Sequence, residues 1–185
     1  MRNIFLLIIS LIFLSCNDVI LPKPKAHLSL EYPKKKYKNL EILRPYIFDV
    51  LEGTSVLEDK NNWLKITYPK LKASIDITYR PIENNLEELL NEAEKLVFKH
   101  TVKAEQIIPK DFVNNKKRVF GSMYEITGNA ASQIQFHVTD STKNFIKGSL
   151  YFYVKPNYDS ILPAVVYIKE DVLRLIETLE WKNPS

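Results

Sequence analysis

Residues 118–154 read RVFGSMYEITGNAASQIQFHVTDSTKNFIKGSLYFYV, three strand-like stretches separated by two turns. Arg118–Thr127 carries Phe120, Tyr124 and Ile126 at the two-residue period of a strand. Gly128-Asn129 begins a turn of a few residues. Gln133–Val138 resumes the alternation, with Ile134, Phe136 and Val138 on the apolar side and Gln133, Gln135 and His137 on the polar one. Asp140-Ser141-Thr142-Lys143 has the residue types of a second turn. Phe145–Val154 reads differently: Leu150, Phe152 and Val154 lie on one side, Tyr151 and Tyr153 on the other. A strand apolar on both faces needs cover on both. Strands joined by connections this short run antiparallel.

The same reading extends outward. Ala73, Ile75, Ile77 and Tyr79 alternate with Ser74, Asp76 and Thr78, and Trp63–Tyr68 alternates through Leu64, Ile66 and Tyr68. Pro69-Lys70-Leu71 joins these two as a hairpin. Ala26–Tyr32 and Tyr46–Leu51 are shorter strand candidates, and Lys34, Lys35, Lys36 and Lys38 make a basic loop between them. Leu86, Leu89, Leu90, Ala93, Leu96 and Val97 recur at helical spacing and predict a helix over 85–103. Asn85 caps it with Glu88 three residues on, and its acids precede its lysines, which suits the helix dipole. Pro109 and the run 114–118 mark a polar excursion. Val165, Ile168, Val172, Leu175, Ile176 and Leu179 predict a closing helix over 160–181, entered past Asp159 or Ser160, with Pro163 in its first turn. The resulting order, ββββαβββα, is α+β: a mostly antiparallel sheet packed with two main helices, similar to a PsbP/Mog1-type sandwich.

The chain has 185 residues, 45% of them hydrophobic and 26% charged, with a formal charge of +4. That suffices for one ordinary domain. The single Cys excludes an internal disulfide and any zinc site built on several thiolates. Residues 1–16 read MRNIFLLIISLIFLSC: a positive Arg2, then an apolar run from Ile4 to Leu14 broken only by Ser10. The run is shorter than the roughly 20 apolar residues that span a bilayer and fits a signal peptide. The lone Cys16 directly after Leu14-Ser15 looks like a bacterial lipobox, although Phe13 stands where Leu is usual. On that reading 1–15 are removed, Cys16 is acylated (the palmitate-type anchor), 16–25 form a tether and 26–185 form the domain. Several acyl chains anchor stably where one is marginal. Loss of Arg2 takes the formal charge from +4 to +3. Pro22 and Pro24 stiffen the tether, whose nine residues after Cys16 reach at most ~28 Å at ~3.1 Å each.

Catalytic signals are absent from the pattern. His27, His100 and His137 form no HExxH pair, and neither a GxSxG elbow nor a phosphate loop occurs. His100 continues the apolar stripe of its helix, and His137 belongs to the wet face of its strand. The expectation is no enzyme, no metal and no cofactor. Nucleic acid is not a plausible partner for an exported lipoprotein. The basic runs 34–38 and 116–118 suit solvent, a headgroup or an acidic partner.

The segment Tyr124–Phe136, then Val138–Lys143, Gly148–Tyr153 and Lys155–Ser160, together with Leu21–Lys25 after the lipid Cys and Tyr68–Ala73, resembles the GldD family of gliding-motility lipoproteins. The resemblance spans nearly the whole mature chain. It implies a Bacteroidetes cell-envelope lipoprotein required for gliding and type IX protein secretion, with no known enzymatic activity. The stretch Tyr46–Trp63 lacks a cysteine found in some relatives. Bacteroidetes lipoproteins bound for the cell surface usually carry more acid after the lipid Cys than the one Asp18 here, so a periplasm-facing protein is expected. Asp159-Ser160-Ile161 fits the Asp-Ser/Thr-aliphatic pattern of O-glycan attachment, making Ser160 a candidate acceptor; helix capping explains the same residues.

Two functions compete at this stage. The first is a non-catalytic assembly or stabilising factor for other gliding and type IX secretion envelope proteins. Its candidate partner surface is Gly128, Asn129, Gln133, Gln135, Asp140, Lys143, Asn157 and Asp159, with Tyr151 and Tyr153 nearby. The second is a periplasmic lipoprotein that binds peptidoglycan or an envelope glycan in a groove lined by Gln133, His137 and Tyr153.

Overall fold

A computed structural model describes residues 32–99, 103–154 and 157–182. The strand candidate at 26–32 lies outside these residues except for Tyr32, which is not in a strand. Cys16, His27 and His100 also lie outside. The described elements are β1 (Tyr37–Asn39), β2 (Tyr46–Ile47), β3 (Asp49–Leu51), β4 (Ser55–Glu58), β5 (Leu64–Tyr68), β6 (Ala73–Pro81), α1 (Leu86–Lys99), β7 (Ala104–Asn114), β8 (Val119–Gly128), β9 (Ile134–Thr139), β10 (Asn144–Phe152), α2 (Tyr158–Thr178) and β11 (Glu180–Trp181).

Seven strands form one antiparallel sheet in the order β4-β5-β6-β10-β9-β8-β7. The α+β expectation holds: two helices lie on a mostly antiparallel sheet. β10 sits at the centre between β6 and β9, which is where a strand apolar on both sides belongs. Its neighbouring residues Phe145 and Ile146 point to opposite faces, as strand geometry requires. Phe145 packs with Leu89 and Ala93 of α1. Ile146 joins the main core with Ile75, Phe136 and Leu150 and with Val165, Ile168, Val172 and Leu175 of α2. Gly148, in the middle of β10, leaves room for the Phe136 ring: a Cβ there would lie 2.2 Å from it.

The short N-terminal strands complete the main core. Tyr46, Phe48 and Val50 are buried in it, although β2 and β3 break at Phe48, so Tyr46–Leu51 is two strands and not one. β11 pairs with β2 through Trp181↔Tyr46 and clasps the two ends of the domain. The closing helix ends at Thr178 so that this pairing can form.

Three differences from the sequence reading have physical causes. The polar excursion after α1 contains β7, the longest strand at 11 residues. Its exposure pattern hides the usual alternation, and an edge strand tolerates Pro109 where a central one would not. α2 begins at Tyr158, capped by Asn157 and not by Asp159 or Ser160; Asn157 Oδ1 accepts from Ser160 N at 3.4 Å. Asn85 precedes α1, and its Oδ1 accepts from Glu83 N at 2.9 Å, turning back from the capping-box geometry.

Candidate functional site

The residues expected to form one exposed surface separate into two ends of the sheet and two depths. Gln133 and Asp140 flank the six-residue β9, which at about 3.4 Å per residue places them roughly 24 Å apart. Gln133, Gln135, His137 and Asp140 are only 2%, 4%, 5% and 6% exposed. The wet-face reading of the Gln133–Gln135–His137 row is therefore overturned, and with it the groove expected for a glycan. The cause is α1, which lies over this face of β9 and β10.

Gln133, His137 and Asp140 each have a structural part. Gln133 Nε2 donates to Ala130 O at 2.7 Å and holds the β8–β9 turn. His137 sits between Tyr124 and Phe145, its ring stacked on Phe145 with centroids 5.9 Å apart. Burial pushes its pKa below the usual histidine range, against a smaller opposing pull from Glu94 and Asp111. Gln135 Nε2 is buried with no hydrogen-bond partner among the described residues.

Asp140 builds the β9–β10 turn. Its Oδ1 accepts from the backbone N–H of Thr142, Lys143 and Asn144 at 2.8, 2.7 and 2.9 Å, and Oδ2 accepts from Asn144 Nδ2 at 2.7 Å. Burial alone would raise its pKa, but these hydrogen bonds outweigh it and hold the carboxyl below its ordinary value. Gly128 is buried with φ +88°, and a Cβ there would lie 2.9 Å from the backbone of Lys103 and Glu105.

Asn129, Lys143, Asn157 and Asp159 do reach the surface. Asn129 Oδ1 accepts from Tyr158 N at 2.9 Å, tying the β8–β9 turn to the start of α2. Ser160 is exposed in the first turn of α2, while Ile161 beside it is buried.

A second constellation escaped the sequence reading. Asp171 on α2 is 5% exposed. Its Oδ1 accepts from Lys35 Nζ at 2.8 Å and from Tyr37 OH at 2.7 Å, while Oδ2 has no partner among the described residues. Lys35 also donates to Tyr167 O and lies 4.1 Å from the centre of the Tyr167 ring. Lys35 thus leaves the solvated loop assigned to it and becomes the link between the N-terminal segment and α2. Burial and then Asp171 push the Tyr37 hydroxyl pKa up, and Tyr68 moves the same way for the same reasons. The signal was present in the sequence: Asp171 falls between Ile168 and Leu175 on the inward stripe of its helix, where a lone acid needs a partner.

Next to this cluster a cleft of about 300 Å³ opens between the incoming chain and two turns. Tyr32, Leu51, Tyr68, Leu71 and Tyr167 line it, with Pro33 and Pro69 at its walls. Tyr32 and Tyr167 stack at 4.3 Å between ring centres. Among the described residues no group of three or more His, Cys, Asp or Glu side chains is placed to hold a metal. No described helix is long and apolar enough to cross a membrane.

Fold and site thus define a single α+β domain whose polar constellations mainly hold its own turns and termini. The family model of the gliding motility lipoprotein GldD matches residues 17–181, and the chain belongs to that family. It is accordingly a lipid-anchored envelope protein with a role in gliding motility. A comparison with curated proteins returned no match.

Proposed function

We propose that this lipoprotein serves gliding and type IX protein secretion as a non-catalytic assembly or stabilising factor, holding other envelope proteins of that machinery from the periplasmic side. The observation that carries the reading is β7. It ends the sheet, so its outer edge has no strand partner among the described residues. Pro109 and Lys110 blunt its middle, as edge strands commonly require, yet Ile108 and Val113 remain 48% and 73% exposed. An unpaired edge with exposed aliphatic side chains suits addition of a partner's strand. The roles of Asp140 and His137 support the same reading, since both groups are engaged in holding the fold.

The test is complementation of a deletion strain with the chain carrying Ile108→Glu and Val113→Glu. Loss of colony spreading and of secreted cargo at unchanged protein level is expected, with loss of the envelope proteins that crosslink to the native chain. Normal spreading, secretion and crosslinking would overturn the reading.

A further inference from the structure

One end of the domain combines apolar side chains, lysines and the origin of the tether. Three backbone segments meet there around the 300 Å³ cleft: the incoming chain at Tyr32–Pro33, the turn Glu52–Thr54 between β3 and β4, and the turn Pro69–Leu71 between β5 and β6. The end of β10 lies beside them, because Tyr153 N donates to Lys72 O at 2.7 Å. β10 ends at Phe152, short of the Val154 expected from its sequence, and Tyr153 and Val154 just past it stay 53% and 41% exposed, which leaves apolar surface open at this end.

Lysines surround this apolar ground. Lys70 lines the cleft, Lys34 follows Pro33, and Lys36 O accepts from Glu52 N in the cleft wall at 2.8 Å. Lys72 closes the β5–β6 turn. Lys34, Lys36, Lys70 and Lys72 are all exposed and make no ion pair with any described residue. Glu52 is the one acid among the cleft residues, and Glu170 nearby is paired with Lys35 at 3.1 Å. The arrangement of aromatic and aliphatic groups among unpaired lysines is that of a membrane-interface contact.

The path of the chain selects the occupant. The described structure begins at Tyr32, inside the cleft wall, and residues 17–31 connect that point to Cys16. We propose that this end of the domain rests on an anionic phospholipid surface, the lysines against the headgroups and the cleft facing the interface. The proposal builds on the lipid-anchored nature of the family. It adds a second contact that fixes how the domain stands on its membrane, leaving β7 for protein partners.

The probe is the chain from residue 16 onward with Cys16→Ala, so that no acyl chain contributes, floated with vesicles. Binding to phosphatidylethanolamine–phosphatidylglycerol vesicles at low salt is expected, with little binding to pure phosphatidylcholine and release at high salt. Lys34→Gln, Lys36→Gln and Lys70→Gln together should weaken partitioning about 100-fold, roughly fivefold per lysine, with an unchanged thermal midpoint. A separate Val154→Glu variant should also weaken it. No binding to the anionic vesicles, equal binding to both lipids, or an unaffected triple variant each overturns the proposal. So does capture of an envelope protein by this face in cells without any vesicle binding. The vesicle result is independent of the β7 complementation, so either can fail alone.

Discussion

Lys35 Nζ lies 2.8 Å from Asp171 Oδ1, although 136 positions separate the two residues. The pair, joined by the Tyr37 hydroxyl at 2.7 Å, fastens the first described segment to the closing helix beside the aromatic cleft. Both charged side chains are largely withdrawn from water. Such a pair contributes modestly when intact, but its disruption leaves one largely buried charge poorly compensated, because Glu170, the other charged partner of Lys35, is mostly exposed.

Asp171→Ala is therefore expected to destabilise the domain by about 3 kcal/mol, measured by urea unfolding. Adding Lys35→Met should recover part of the loss, because without Asp171 the largely buried ammonium keeps only the exposed Glu170 as a charged partner. A double variant no better than Asp171→Ala would show that the two groups are not energetically coupled.

Asp140 should make the domain sensitive to acid. Asp140→Ala is expected to cost about 2–4 kcal/mol at neutral pH, since three backbone N–H groups and an Asn144 amide lose a charged acceptor. Its folded carboxyl is held below the ordinary value. The stabilisation is thus complete above the unfolded value, about pH 4, and is lost as pH falls through the folded one. Urea midpoints of the native chain and of Asp140→Asn should converge on acidification below about pH 4.

His137 gives a slope at higher pH. Its folded pKa is lowered by burial, so the unfolded chain binds the proton more readily. Stability from this group is complete above about pH 6.5 and declines as pH falls toward the folded value, by at most about 1.4 kcal/mol per pH unit. His137→Gln should flatten the stability profile just below about pH 6.5. A native profile that is already flat there would refute the buried neutral imidazole.

The strong alternations were legible because both of their faces obey simple periodicity. Ala73–Tyr79 and Gln133–Val138 became β6 and β9 with shifts of one or two residues at their ends, and the stripe of Val165, Ile168 and Val172 became the buried side of α2. β7 was not legible. As an edge strand it has one unpaired side and little burial, and Pro109 imitates a break. The candidate surface failed for a related reason. Gln133, Gln135 and His137 alternate as a solvent face does, and periodicity within one strand carries no record of a helix that later covers it.

The α+β class and the antiparallel joining of β8, β9 and β10 were written in the order of residues, because they follow from local turn chemistry and the two-residue period of a strand, and the family was legible as a likeness of whole segments along the chain. Packing in three dimensions sets which polar residues are exposed, brings Asp171 to Lys35, and gathers lysines around an aromatic cleft at the start of the described chain. Those facts depend on contacts between segments distant in sequence, 136 positions apart for Lys35 and Asp171, and no local pattern encodes such contacts.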